Sequence, residues 1–427
     1  MARRLRELGP GLVTGAADDD PSGIATYAQA GAAFGYGLLW TALLTLPLMA
    51  AVQSLCARIG VVTGGGLARA LRRHAPRRVL WAVCGLLVVA NTINIGADLS
   101  GMAAAALLVA SDAARPAAGV ADWRAHALVV GFALAIVGML AVASYAAMAR
   151  VFKWLALTLL TYVAAGVLAH PDWAQVLRGT LVPRLTLTQE AVLTVVAIFG
   201  TTISPYLFFW QAAQNAEEQD ALRRRFRGRT RRATSRELGS ATRDVLAGMT
   251  ASNLVMYFIV LTTGATLHRN GVTTIATAEQ AAAALRPVAG QAASWLFAAG
   301  LVGTGLLAVP VLAGSAAYAV GEALAWRRGL EETPRTAPAF YGVIAAAVGM
   351  GVAFNFAHVD PIRLLVWSAV LNGLLAPPVV ALVVRVSTAP AVMGEHRARG
   401  WAVWLGWVAV AIMTAAALVL VGSWLWG

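Results

Sequence analysis

The stretch from Gly9 to Gly37, GPGLVTGAADDDPSGIATYAQAGAAFGYG, decides how the rest of the chain is read. It is long and apolar enough to cross a bilayer, which takes roughly 20 residues. Yet its middle holds Asp18, Asp19, Asp20, Pro21, Ser22 and Gly23. Proline removes a backbone donor and blocks the preceding carbonyl from a helical bond. Glycine tolerates unwound backbone. In lipid such a break is tolerated only where protein or a water-filled cavity surrounds it. A carboxylate inside a span costs at least about 2.5 kcal/mol on insertion scales, so a functional role is its default explanation. The stretch therefore reads as a broken membrane helix with a cation site at Asp20. Three acids in the apolar run also rule out reading it as a cleavable signal peptide.

Composition supports the same class. Of 427 residues, 59% are hydrophobic and 12% are charged, against roughly 25% charged in a soluble domain. Apolar runs place eleven spans at 9–34, 37–58, 79–109, 125–148, 151–169, 190–215, 244–267, 291–322, 338–357, 362–385 and 401–425. With the N-terminus in the cytoplasm and the C-terminus outside, 26 of the 33 Lys and Arg residues fall on cytoplasmic stretches. The exceptions are Arg115, Arg124, Arg178, Arg184, Arg269, Arg286 and Arg363. This is the positive-inside pattern of a multi-pass protein of the inner (plasma) membrane. The net charge of +13 is thus a topology signal, not a nucleic-acid footprint. The lipid bilayer is the expected partner, and no obligate protein partner is evident. The basic stretch 216–243 reads as a cytoplasmic connector near anionic headgroups. Cys56 and Cys84 match neither a metal motif nor a disulfide framework.

A second span breaks in the same way. Residues 191–215, AVLTVVAIFGTTISPYLFFWQAAQN, carry Gly200, Thr201, Thr202, Ser204 and Pro205 at their centre. Each break opens a block of five spans, and an odd number of spans inverts the second block. The chain is therefore expected to be one all-α transporter domain. Repeat one covers about 9–169, repeat two about 190–385, and an extra helix about 401–425. Inverted repeats with paired broken helices point to a substrate site near the bilayer midplane.

The ligand chemistry follows from residue types. A carboxylate beside freed carbonyls is the donor set of a hard cation, and Asp20 can also cap the second half-helix. Asp19 reads as a carboxylate of the approach. Thr201, Thr202 and Ser204 offer hydroxyls and carbonyls, although such hydroxyls often bond back to their own helix. Tyr206 and Gln211 follow on the next half-helix. Asn91, Asn94 and Asp98 are spaced three and four apart, so they share one helix face. That stripe reads as cavity lining or as helix-to-helix hydrogen bonding. His74, His126, His170, His268, His358 and His396 lie at span ends or in connectors. No nucleophile elbow, P-loop or zinc motif appears, so neither catalysis nor ATP hydrolysis is indicated.

Asp20-Pro21-Ser22-Gly23, Ser204-Pro205 and the run DPIRLLVWSAVLNGLLAPP from Asp360 to Pro378 resemble the Nramp divalent-metal transporters. The resemblance covers nearly the whole chain and implies a LeuT-type fold of five plus five helices. It also implies where this chain departs from its family. Gly23 stands where a metal-binding Asn is usual, and Ser22 where Gly is usual. Ser204 replaces a methionine and Tyr206 a protonatable histidine. Gly101 stands where a Glu usually follows Asp98. Losing a soft thioether and an amide leaves a roomier site built of oxygen. Mg²⁺ keeps several waters and binds through one or two carboxylates, so the pattern is similar to the Nramp-related magnesium transporters.

The resulting expectation is uptake of partly hydrated Mg²⁺ by alternating access, without obligate proton coupling and with no bound cofactor. Asp20, Gly23, Thr201, Thr202 and Ser204 would form the metal site. Asp19, Ser22, Asn91, Asn94, Asp98, Tyr206 and Gln211 would line the cavity. Three alternatives stay open: a proton-coupled Mn²⁺/Fe²⁺ transporter, a sodium-coupled organic solute carrier of the same fold, and a non-transporting membrane sensor or scaffold.

Overall fold

Proline sets the helix starts of this chain. Pro10, Pro21, Pro205, Pro338 and Pro361 each open a helix, where a missing N–H leaves no intrahelical bond unmade. The computed structural model describes residues 9–110, 123–142, 160–184, 188–225, 233–357 and 360–426. The first block runs α1 (Pro10–Asp18), α2 (Pro21–Phe34), α3 (Trp40–Thr63), α4 (Leu67–His74), α5 (Arg77–Ala110), α6 (Trp123–Val142) and α7 (Leu160–Leu168). Then come α8 (Trp173–Leu181), α9 (Gln189–Thr202), α10 (Pro205–Arg225), α11 (Ser235–Thr266), α12 (Ala278–Ala283) and α13 (Ala293–Ala323). The chain ends with α14 (Pro338–Phe354), α15 (Pro361–Thr388) and α16 (Trp401–Trp426).

Among the described residues, eight helices are long and apolar enough to cross a membrane. α14 is a shorter apolar helix, and α1 with α2 is a span cut in two. Burial ranks these helices. The apolar window of Gln189–Leu222 is 94% buried, against 22% for Trp123–Val142 and for Trp401–Leu425. The second broken helix is thus in the centre of the bundle, while α6 and α16 form its lipid-facing rim.

Small residues let the broken helices sit backbone to backbone with their neighbours, as membrane packing favours. A Cβ on Gly15 of α1 would collide with the Gly248 backbone of α11. A Cβ on Gly200 of α9 would collide with Ala369 and Gly373 of α15. At one end of the bundle the Gln29 side chain of α2 holds the loop before α12. Its Nε2 donates to the Thr273 carbonyl at 3.2 Å, and its Oε1 accepts from Ile275 N at 2.9 Å. Ile275, Ala281 and Ala282 are buried beneath that loop. At the opposite end Glu322 is committed to α4. It accepts from Gly66 N at 2.6 Å and Arg69 N at 3.0 Å, and pairs with Arg328 at 2.8 Å.

The described parts of the basic stretch 216–243 are helical at both ends. α10 continues to Arg225, and α11 begins at Ser235 behind a capping box of Thr234 and Glu237. A capped start satisfies backbone donors that water would otherwise take, so the basic residues of its described parts ride on helix ends. Residues 226–232, and the first part of the expected fifth span 151–169, lie outside the described residues.

Candidate functional site

The two breaks share one backbone construction. In the first, Asp19 has ψ 53° and caps the end of α1, Asp20 is extended at φ −68° and ψ 168°, and Pro21 starts α2. In the second, Ile203 has ψ 55° and caps the end of α9, and Pro205 starts α10 one residue after Ser204. Asp20 and Ser204 thus hold equivalent places. Asp20, Thr201 and Ser204 are 2%, 2% and 1% exposed, so the centre is occluded.

The Asp20 carboxylate gathers donors from three elements. Oδ1 accepts from Gly23 N at 2.7 Å and from the Ser22 hydroxyl at 2.6 Å. Oδ2 lies 3.1 Å from Asn94 Nδ2 on α5 and 3.2 Å from the Tyr206 hydroxyl on α10. The Tyr206 hydroxyl is also 3.0 Å from the Ala17 carbonyl, so its one proton is shared between two acceptors. All four of these donors are neutral. A charge held away from water by neutral groups still lacks a counter-charge.

Beside it are acceptors that nothing satisfies. Asn94 Oδ1 and both carboxylate oxygens of Asp98 are buried without a hydrogen-bond partner among the described residues. Asp98 is also within electrostatic reach of Asp20. Buried oxygens of this kind ask for a proton or a cation. The unpartnered acceptors of Asn94 and Asp98 are all oxygen.

The second break behaves differently. The Ser204 hydroxyl lies 2.6 Å from both the Gly200 and the Thr201 carbonyls. Thr202 donates to the Ile198 carbonyl at 2.8 Å. The Thr201 hydroxyl lies 3.0 Å from that same carbonyl and 2.9 Å from the Tyr27 hydroxyl. The carbonyls expected to be free here are therefore partly occupied by their own helix's hydroxyls, as such side chains do in apolar surroundings. Each hydroxyl oxygen keeps lone pairs that a cation or its waters can use.

Three expected cavity residues also bind neighbouring groups. Asn91 donates across to α13, to the Leu312 carbonyl at 2.8 Å and the Ser315 hydroxyl at 2.7 Å. The stripe on α5 is thus split: Asn91 ties helices together, while Asn94 and Asp98 face the break. Gln211 donates along its own helix to Asn215 at 2.6 Å. Asp19 turns to α11, where the Ser252 hydroxyl is 3.2 Å from Asp19 and 2.6 Å from Asp18. Two further residues hydrogen-bond to the expected ones although the sequence did not single them out. Tyr27 bridges to the second break, and its place seven residues after Asp20 puts it on the same helix face. Ser252 sits beside Asn253 in an apolar span, and such a polar pair is the signal that could have found it.

Residues 11–423 match the family model described as natural resistance-associated macrophage protein-like. The chain belongs to the Nramp family. Its Nramp relatives include two proteins named divalent metal cation transporter MntH from Klebsiella pneumoniae. That of strain 342 is 30% identical and that of strain ATCC 700721 / MGH 78578 is 29% identical, each over 96% of this chain and 92% of the relative. Those relatives are transporters and not enzymes. A manganese transporter of Eremococcus coleocola, solved with an aromatic bis-isothiourea substituted compound, superposes with a TM-score of 0.75 at 18% identity. The match covers 97% of this chain and 86% of that one. MhsT bound to L-phenylalanine superposes with a TM-score of 0.62 at 11% identity, over 97% and 98% of the two chains. At these identities the likeness concerns the fold, which is the LeuT type expected for an Nramp chain with two broken helices.

Proposed function

We propose that this Nramp protein carries Mg²⁺ into the cell by alternating access, without obligate proton coupling. That it is a divalent-metal transporter follows from its family. The choice of Mg²⁺ rests on one observation: the Asp20 carboxylate is surrounded by hydroxyl, amide and carboxylate groups, with Ser204 and not a sulfur at the matching place of the second break. A hard, reluctantly dehydrated ion suits oxygen ligands and space for water. A transition metal gains most from a soft ligand or an imidazole.

In this reading Asp20 supplies the charge, and Asn94 Oδ1 with Asp98 takes up the ion or its waters. Ser204, Thr201 and Thr202 complete the far side through hydroxyl lone pairs. Asp19, hydrogen-bonded to Ser252, lines the approach along α1. Tyr206 holds Asp20 by a hydrogen bond from a phenol where the family resemblance leads one to expect an imidazole, which supports transport that does not carry a proton at this position. The plasma membrane, with connectors rich in Arg on the cytoplasmic side, is the setting that the charge pattern favours.

The test is flux into proteoliposomes with Mg²⁺ and Mn²⁺ in parallel and internal pH recorded. Mg²⁺ entry without acidification is expected, and an Asp20→Ala variant should carry none. Failure of Mg²⁺ to enter, or full flux in that variant, would overturn the reading. Micromolar Mn²⁺ binding with strong preference over Mg²⁺ would return the site to the transition metals.

A further inference from the structure

The positive-inside pattern leaves few cations at the end of the bundle where α2 and α11 stop. Three of them, Arg178, Arg184 and Arg269, line a single cavity of about 860 Å³. His170 and His268 line it as well. One carboxylate, Asp172, reaches the same cavity. That carboxylate is occupied: Oδ1 caps α8 by accepting from Ala174 N at 3.0 Å and Gln175 N at 3.2 Å, and Oδ2 accepts from Gln175 Nε2 at 2.8 Å. Among the described residues no carboxylate forms an ion pair with Arg178, Arg184 or Arg269. Three guanidiniums and a single carboxylate around one space leave an excess of positive charge, a concave field for an anion. Their planar forks match the oxygens of a phosphate.

The helix that carries Arg178 shows how such an anion would arrive. α8 has three faces. Val176 is buried, and Thr180 bonds the Tyr257 hydroxyl of α11 at 3.0 Å. Gln175 and Arg178 turn to the cavity. Trp173, Leu177 and Leu181, spaced four apart, form a third stripe, and they are 50%, 59% and 67% exposed. A short helix with an apolar stripe, an aromatic end and a basic flank lies in the membrane interface. There its apolar face meets acyl chains and its basic flank stands at headgroup height.

We propose that this cavity binds a phosphate group, delivered by an anionic phospholipid whose chains lie along Trp173, Leu177 and Leu181. The cavity also touches the turn after α2 at Gly35 and Tyr36. A bound headgroup would therefore bridge α8, the end of α11 and the end of the broken helix that carries Asp20. The inference is independent of which metal is carried.

The test uses the full-length protein in a neutral detergent, followed by thermal unfolding. Three additions are compared: phosphatidylglycerol, phosphatidylcholine and inorganic phosphate. The wild type is set beside the triple variant Arg178→Gln, Arg184→Gln, Arg269→Gln, and beside Arg286→Gln as a basic position outside the cavity. Phosphatidylglycerol should raise the midpoint of the wild type and of Arg286→Gln by several degrees, phosphatidylcholine should not, and the triple variant should lose the rise. Native mass spectrometry should show a retained phosphatidylglycerol in the wild type and in Arg286→Gln but not in the triple variant. If inorganic phosphate alone gives the same rise, the phosphate site stands and its source is the free ion. No rise with either phosphate source, or an equal rise in the triple variant, would overturn the proposal. Should the triple variant fold poorly, the single substitutions are compared by mass spectrometry: each should retain less phosphatidylglycerol than the wild type, and undiminished retention in all three would overturn the proposal equally. Metal flux is not the readout, so failure here leaves the transport reading untouched.

Discussion

The two helix breaks are alike in backbone and opposite in how they use their side chains. Asp19 and Ile203 have ψ within a few degrees of each other, and each break ends on a proline that starts the next half-helix. At the first break Asp20 caps its own half-helix through Oδ1 and reaches outward through Oδ2, which is held by Asn94 of α5 and Tyr206 of α10. At the second the side chain folds inward, and Ser204 repairs the carbonyls that its own break orphaned. Equivalent geometry has thus been given to one group that needs a counter-ion and one that is already satisfied. Charge is concentrated on one repeat, and the other contributes a neutral wall. An inverted pair of this kind sets place by symmetry and selectivity by its asymmetry.

The comparison breaks most severely if the charge is removed. Asp20→Asn keeps size and the two hydrogen bonds to Oδ1 but should lower Mg²⁺ binding at least about 100-fold by calorimetry, the scale of losing one member of a buried charge pair. Next comes an exchange of character. Ser204→Met with Gly23→Asn should shift preference toward Mn²⁺ by about 10-fold or more in competition flux, because a thioether and an amide are added facing Asp20. The position tolerates the first atom of that change: a Cβ on Gly23 would meet its nearest atoms at 3.4 Å, ordinary contact. An effect of similar size, on affinity and not on preference, is expected from Tyr206→Phe. Losing one hydrogen bond to a charged group costs about 1.5–3 kcal/mol, so Mg²⁺ affinity should fall roughly 10- to 100-fold while internal pH traces stay flat. The smallest belongs to Asn91→Ser, which should leave Mg²⁺ affinity unchanged and lower only the unfolding midpoint, since Asn91 serves α13 and not Asp20.

Both breaks were legible in the sequence, because a proline after a polar residue inside an apolar run has few other readings. So was Asp20, because an intramembrane carboxylate is too costly to be idle. The stripe on α5 was legible only as a stripe. Spacing puts Asn91, Asn94 and Asp98 on one face but does not say that the face is shared between two neighbours. Ser252 was hidden for a different reason: its partners, Asp18 and Asp19, come from a helix far away in sequence. The helices beyond residue 215 were hidden because charge outweighed the capping signal of Thr234 and Glu237.

Gln29 carries one further consequence. Its side chain ties α2 to the loop that contains the buried Ile275, beside the 2.7 Å contact of His268 Nδ1 with the Ala32 carbonyl, and the Ile275 amide is bonded while the Gln29 link is closed. Deuterium uptake at this single amide therefore counts how often that loop lifts. If turnover is limited by lifting, the two rates will move together as temperature or load is changed, and one backbone proton becomes the clock of the transport cycle.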